Sequence, residues 1–114
     1  MHKKTTVYRL LGLQPGALEI NHIQQSRWGG AVNVLCTYNY PPEQRPFTLR
    51  FTRVRSIQWI VINPDAPDTA ETQVLTHDLG LENYQRTARF ASTLAEVIIS
   101  YEKLEIIEGH ISDA

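Results

Sequence analysis

His22, His77 and Asp78 are the residues of this chain best suited to acid–base chemistry. An imidazole changes charge near neutral pH, and a neighbouring carboxylate can orient it. Both histidines fall at apolar parity on predicted strands. A sheet could bring them together, with Asp78 or Cys36 completing a site. The chain has no short ligand spacing such as H-x-x-x-H, so no metal site is predicted. Histidines in such positions more often serve as hydrogen-bonded core or rim residues. Cys36 is the one potential thiol nucleophile. Its neighbours Val34, Leu35 and Tyr38 place it in an apolar strand interior, where burial raises the thiol pKa and lowers reactivity. An inert core cysteine is the reading that fits.

Arg45, Arg50, Arg53 and Arg55 interleave with Phe47, Phe51 and Trp59. Strands that carry arginines and aromatics can neutralise phosphates and stack bases. Arg50, Arg53 and Arg55, with Tyr38 and Tyr40, are therefore the candidate ligand-binding residues. Two observations argue against a nucleic-acid partner. Phe47 and Phe51 have core parity with Arg50 opposite them, and the pI is near 6.4. The acids Asp65, Asp68 and Glu71 lack the D-x-[DN]-x-[DN]-G pattern of a calcium loop. No G-x-x-x-x-G-K-[ST] or G-x-G-x-x-G is present, so no cofactor is implied.

The elements that must position these residues are mostly strands. Thr5 to Leu13 reads as a first strand, ended by the turn signal Pro15-Gly16. Leu18, Ile20 and His22 alternate with polar neighbours, and Gly29-Gly30 marks a reversal. From Ala31 to Tyr40, the residues Val32, Val34, Cys36, Tyr38 and Tyr40 share the core parity. Tyr40 to Pro46 holds three prolines and reads as a stiff connector outside any sheet interior. Phe47, Leu49 and Phe51 face the core. The same parity would then bury Arg53 and Arg55, which is too costly for unpaired guanidinium groups. A bend or bulge is expected between Arg53 and Ser56. Ile57 to Ile62 is nearly all apolar and reads as a strand covered on both faces.

Residues 63–71 form the longest loop signal. Thr72 to Leu79 looks extended, with Leu75, His77 and Leu79 on one side. Gly80 ends it, and Leu81 to Arg86 reads as a turn. Between Thr93 and Glu108 two readings compete. A helix would align Leu94, Val97, Ile98 and Tyr101, with Thr93 and Glu96 as a capping box. The β-branched run Val97-Ile98-Ile99 favours strands.

The chain's 114 residues suit one domain, and 42% apolar against 20% charged residues is a globular balance. The net charge of −1 hides an asymmetry. Met1 to Pro64 carries eight Lys/Arg against two acids; Asp65 to Ala114 carries three against ten. The halves neutralise each other on folding, or they leave a basic face and an acidic face. No signal-like apolar run follows the basic N-terminus, and no apolar run is long enough to span a membrane. With one cysteine, these features predict a cytoplasmic protein.

The fold expected is all-β: an antiparallel sandwich or partly open barrel of roughly seven to nine strands. The alternative is α+β, with one C-terminal helix packed on an antiparallel sheet. The apolar groups Ile98, Ile99, Tyr101, Leu104, Ile106 and Ile107 lie on more than one face, which either a partner chain or the chain's own N-terminal hairpins would cover. The function expected is a non-enzymatic binding or protein-interaction module acting as a homodimer. Its rivals are single-stranded nucleic-acid binding through Arg45–Arg55 and a small metal- or His-dependent enzyme using His22, His77 and Asp78.

Overall fold

The computed structural model describes residues 5–40, 42–63, 65, 73, 74, 76–81 and 86–110. A short helix, α1 (Val7–Leu11), precedes β1 (Ala17–Ser26), β2 (Ala31–Tyr40), β3 (Glu43–Thr52) and β4 (Ser56–Val61). Then follow β5 (Gln73–Val74), β6 (Thr76–Asp78), β7 (Thr87–Ala91), β8 (Ala95–Ser100) and β9 (Lys103–Glu108). All pairings are antiparallel, in two sheets ordered β5-β1-β2-β3-β9 and β4-β8-β7-β6. The architecture is an all-β sandwich, and the Val97-Ile98-Ile99 run lies in a strand. Among the described residues, no helix is long and apolar enough to cross a membrane.

Alternation builds the core. Val32, Val34, Cys36 and Tyr38 of β2 join Phe47, Leu49 and Phe51 of β3 on the inner face of the larger sheet. Phe90, Ile99 and Tyr101 meet them from the other side. The rings of Phe51 and Tyr101 pack edge-on with centroids 4.8 Å apart. Each side chain of this size contributes roughly 1.5–3 kcal/mol through burial. Tyr40 shares the parity but ends its strand and is exposed.

The chain changes sheets at a shared corner. The β3–β9 ladder runs to Thr52 opposite Lys103, and the β4–β8 ladder begins at Ser56 opposite Ser100. Between them lie Arg53, Val54 and Arg55 on one strand and Tyr101 and Glu102 on the other. Arg53 takes a left-handed backbone, φ +52°, so the expected bend falls there. Gly80 lies close by. Its φ is +73°, and a Cβ on it would stand 2.1 Å from the Thr87 carbonyl oxygen, so only glycine fits.

Four expectations need correction. The first strand is instead α1. The Thr6 hydroxyl accepts from the Arg9 amide, and Gly12 closes the helix at φ +68°. Caps at both ends outweigh the β-branched Thr and Val. In β1, the register shifts between Ile20 and His22, so Ile20 and Ile23 pack inward and His22 turns out. The proline-rich connector belongs largely to β3, which starts at Glu43. Pro46 is tolerated because its carbonyl accepts from Gly109 beyond the end of β9. The Gly109 carbonyl, which an amide at residue 46 would otherwise serve, accepts from the Thr48 hydroxyl at 2.8 Å instead. Finally, among the described residues β4 is not covered on both faces and is the outer strand of its sheet. Leu75, most of the 63–71 loop and most of the 81–86 turn lie outside the described residues.

Candidate functional site

The most unusual surface follows from that last correction. Trp59, Ile60, Val61 and Ile62 are 49%, 40%, 63% and 54% exposed. Ile57 and Trp59 turn toward the interior, where Ile57 packs on the core. Trp59 roofs a cleft of about 170 Å³ that opens between the sheets, lined by Ile20, Ile23, Val74, Phe90 and Leu94. The Ile62 amide donates to the Leu94 carbonyl at 2.8 Å. Backbone direction alternates along a strand, so the amides and carbonyls of Ile57, Trp59 and Val61 face the open edge. From Ser56 to Asn63 the sequence has no charge and no proline. These are the devices that normally keep an edge from pairing.

The second feature is the corner. Arg53, Arg55, Arg86 and Lys103 line one cleft of about 700 Å³ together with Ser56, Ser100, Tyr101 and Glu102. Glu102 accepts from Arg55 at 2.9 Å and from Arg53 at 3.4 Å. These two hydrogen bonds hold its carboxyl below the usual range. Arg86 donates to the Glu102 carbonyl, and the Tyr101 hydroxyl donates to that of Leu79. Burial pushes the Tyr101 phenol up to about 12. Arg53 and Arg55 thus meet as the sequence suggests, while Arg50 points outward on β3 opposite Asn33 and Glu105. Arg45 pairs with Glu108 at 2.8 Å. Phe47 and Phe51 are buried and offer no ring to a base. Tyr38 is buried as well, donating to the Gln14 carbonyl at 2.7 Å. The contributions of Arg86 and Lys103 were not legible, because only the corner topology brings them to Arg53 and Arg55.

His22 and His77 do not share a face. His22 is exposed on β1, whereas His77 is buried in the middle of β6. The His77 Nε2 accepts from the Val7 amide at 3.1 Å, and its ring lies against Tyr8 and Phe90. Asp78 Oδ1 accepts from the amides of Thr5 and Gly80 at 3.0 and 2.9 Å. These contacts tie α1 and the Gly80 turn to the sheet. A cleft of about 480 Å³ borders His77 and Asp78, but its outward wall is Thr76, Arg89 and Glu96. The ring of His77 turns the other way. Cys36 is fully buried, its thiol pushed up to about 12 by desolvation. Among the described residues, no three metal-ligating side chains cluster.

No protein-family model matches the chain, and neither the curated proteins nor the solved structures give a match.

Proposed function

We propose that this chain is a non-enzymatic protein-interaction module that works as a homodimer, joined through β4. The observation that carries the reading is an uncharged apolar strand at the edge of a sheet. Two-fold symmetry lets such a strand pair with its own copy in antiparallel register. A second copy is the occupant that suits it best. It sets neutral residues against neutral residues, with no like-charge opposition, and apolar groups against apolar groups on both sides of the strand. The Trp59 cleft, lying beside the edge, would be sealed in the same event. A single cysteine allows no internal disulfide, which fits a reducing compartment, and we place the protein in the cytoplasm on that reading.

Amide hydrogen exchange at rising protein concentration tests this directly. The edge-facing amides of Ile57, Trp59 and Val61 should slow as dimer forms, and those of β9 should not. Exchange at β4 that is independent of concentration would contradict the reading.

A further inference from the structure

We propose that the corner cleft is a binding site for a small phosphorylated ligand. Among the described residues, four cationic side chains, Arg53, Arg55, Arg86 and Lys103, line it, and one carboxylate, Glu102, answers them. The cleft therefore keeps a positive excess on a protein whose overall charge is −1. The arginines Arg53 and Arg55 are largely exposed at their ion pairs with Glu102, so their remaining donors face solvent. Guanidinium groups present forked donors that match phosphate oxygens.

The backbone gives an independent indication. Arg53 and Arg86 hold left-handed conformations, φ +52° and +45°, that glycine or asparagine would adopt at lower cost. Two of the four left-handed non-glycine residues among the described residues lie in this one cleft; the other two, Arg27 and Trp28, form the β1–β2 turn. Strain of this kind clusters where a side chain is needed in a set direction. With no glycine-rich loop in the sequence, side chains rather than backbone amides supply the anion contacts. A volume of about 700 Å³ admits more than a bare ion. On the far side of Arg55 and Ser56, a second groove runs under Trp28, which is fully exposed on its own left-handed backbone at the β1–β2 turn. Arg55 and Ser56 line both.

Glu102 sets the affinity. It occupies part of the donor capacity of Arg53 and Arg55 and repels an incoming anion. Its removal should strengthen binding, and reversal of the exposed cations should abolish it.

The test is calorimetric titration of the whole chain with pyrophosphate and, separately, with ADP, at low and at physiological salt. Both probes should bind and compete with each other, and both should weaken as salt rises. Arg55→Glu combined with Lys103→Glu should reduce affinity by at least ~10-fold, on the scale of charge-assisted contacts. Arg55→Gln with Lys103→Gln, which adds no negative charge, guards against a folding defect and should also weaken it. Glu102→Gln should tighten it a few-fold. ADP binding more tightly than pyrophosphate would identify a nucleotide as the source of the phosphate; equal affinity would identify a simpler phosphorylated compound. Failure of both probes at millimolar concentration and low salt would overturn the proposal. So would binding that survives both double variants.

Discussion

The two long edge strands, β4 and β9, lie on opposite sheets yet belong to one bent ladder system, since β3 runs into β4 and β8 into β9. Their chemistry is opposite. β9 reads Lys-Leu-Glu-Ile-Ile-Glu and sets a charge at Lys103, Glu105 and Glu108. Glu108 is further held by Arg45 of β3. β4 reads Ser-Ile-Gln-Trp-Ile-Val and has none. Among the described residues, the remaining edges, β5 and β6, span two and three residues. Among the described residues, one long edge thus carries charge and the other, β4, carries none. An uncharged apolar edge is prone to pair with another strand, which is why the proposed dimer is placed on β4 and not on β9.

The largest predicted effect comes from placing a charge on the bare edge. Val61→Lys should weaken self-association by about 100-fold, the scale of a like-charge opposition plus a lost apolar contact. Lysine introduced at Ile107 on β9 should leave it unchanged. Sedimentation of the two variants reads both outcomes.

Removing charge from the guarded edge should do the converse. Glu105→Thr with Glu108→Thr should produce species larger than a dimer at high concentration, visible by light scattering. No change there would mean that β9 is closed by something other than its charges.

The corner joining the two edges should be sensitive to Tyr101. Tyr101→Phe leaves the Leu79 carbonyl without this donor and should cost about 1–2 kcal/mol in urea unfolding at pH 7. The phenol is raised to about 12 when folded, against about 10 unfolded. Its protonated form is therefore favoured by folding. That contribution is complete below the unfolded value and is lost as pH rises toward the folded one. The gap between wild type and Tyr101→Phe should shrink between pH 10 and 12.

The smallest effect belongs to Glu102. Its folded value is depressed, so its contribution is present above the unfolded carboxylate range and is lost as pH falls through the folded value. The pair is exposed, and Glu102→Gln should shift the melting temperature only slightly at physiological salt.

Much of the fold was legible because alternation is a direct consequence of strand geometry. The run Phe47, Leu49, Phe51 gave the core face of β3, and the cost of burying Arg53 and Arg55 located the corner. What escaped was decided by local or distant partners. Five helical residues were held by Thr6 and Gly12 against their own propensity. One shifted residue in β1 reversed the parity of His22 and removed it from the face of His77. Pro46 is admitted to a strand because it sits at the end of the β9 ladder, where the Thr48 hydroxyl satisfies the Gly109 carbonyl that proline cannot. The apolar run Ile57 to Ile62 reads as a strand, as Ser56–Val61 is, but its cover on both faces is not found among the described residues, since apolar composition does not reveal whether a strand is central or at an edge. The sequence also drew attention to Ile98 to Ile107 as a surface needing a partner. Ile99 and Tyr101 are instead buried within the chain, and Ile98, Leu104, Ile106 and Ile107 are half-buried.

The central claim is most directly tested by sedimentation equilibrium of the wild-type chain beside Val61→Lys. The dimer reading predicts twice the 13.0 kDa chain mass for the wild type at micromolar concentration and the single-chain mass for the variant. A wild-type chain that stays monomeric at the highest attainable concentration, or a Val61→Lys variant that dimerises as well as wild type, would contradict it.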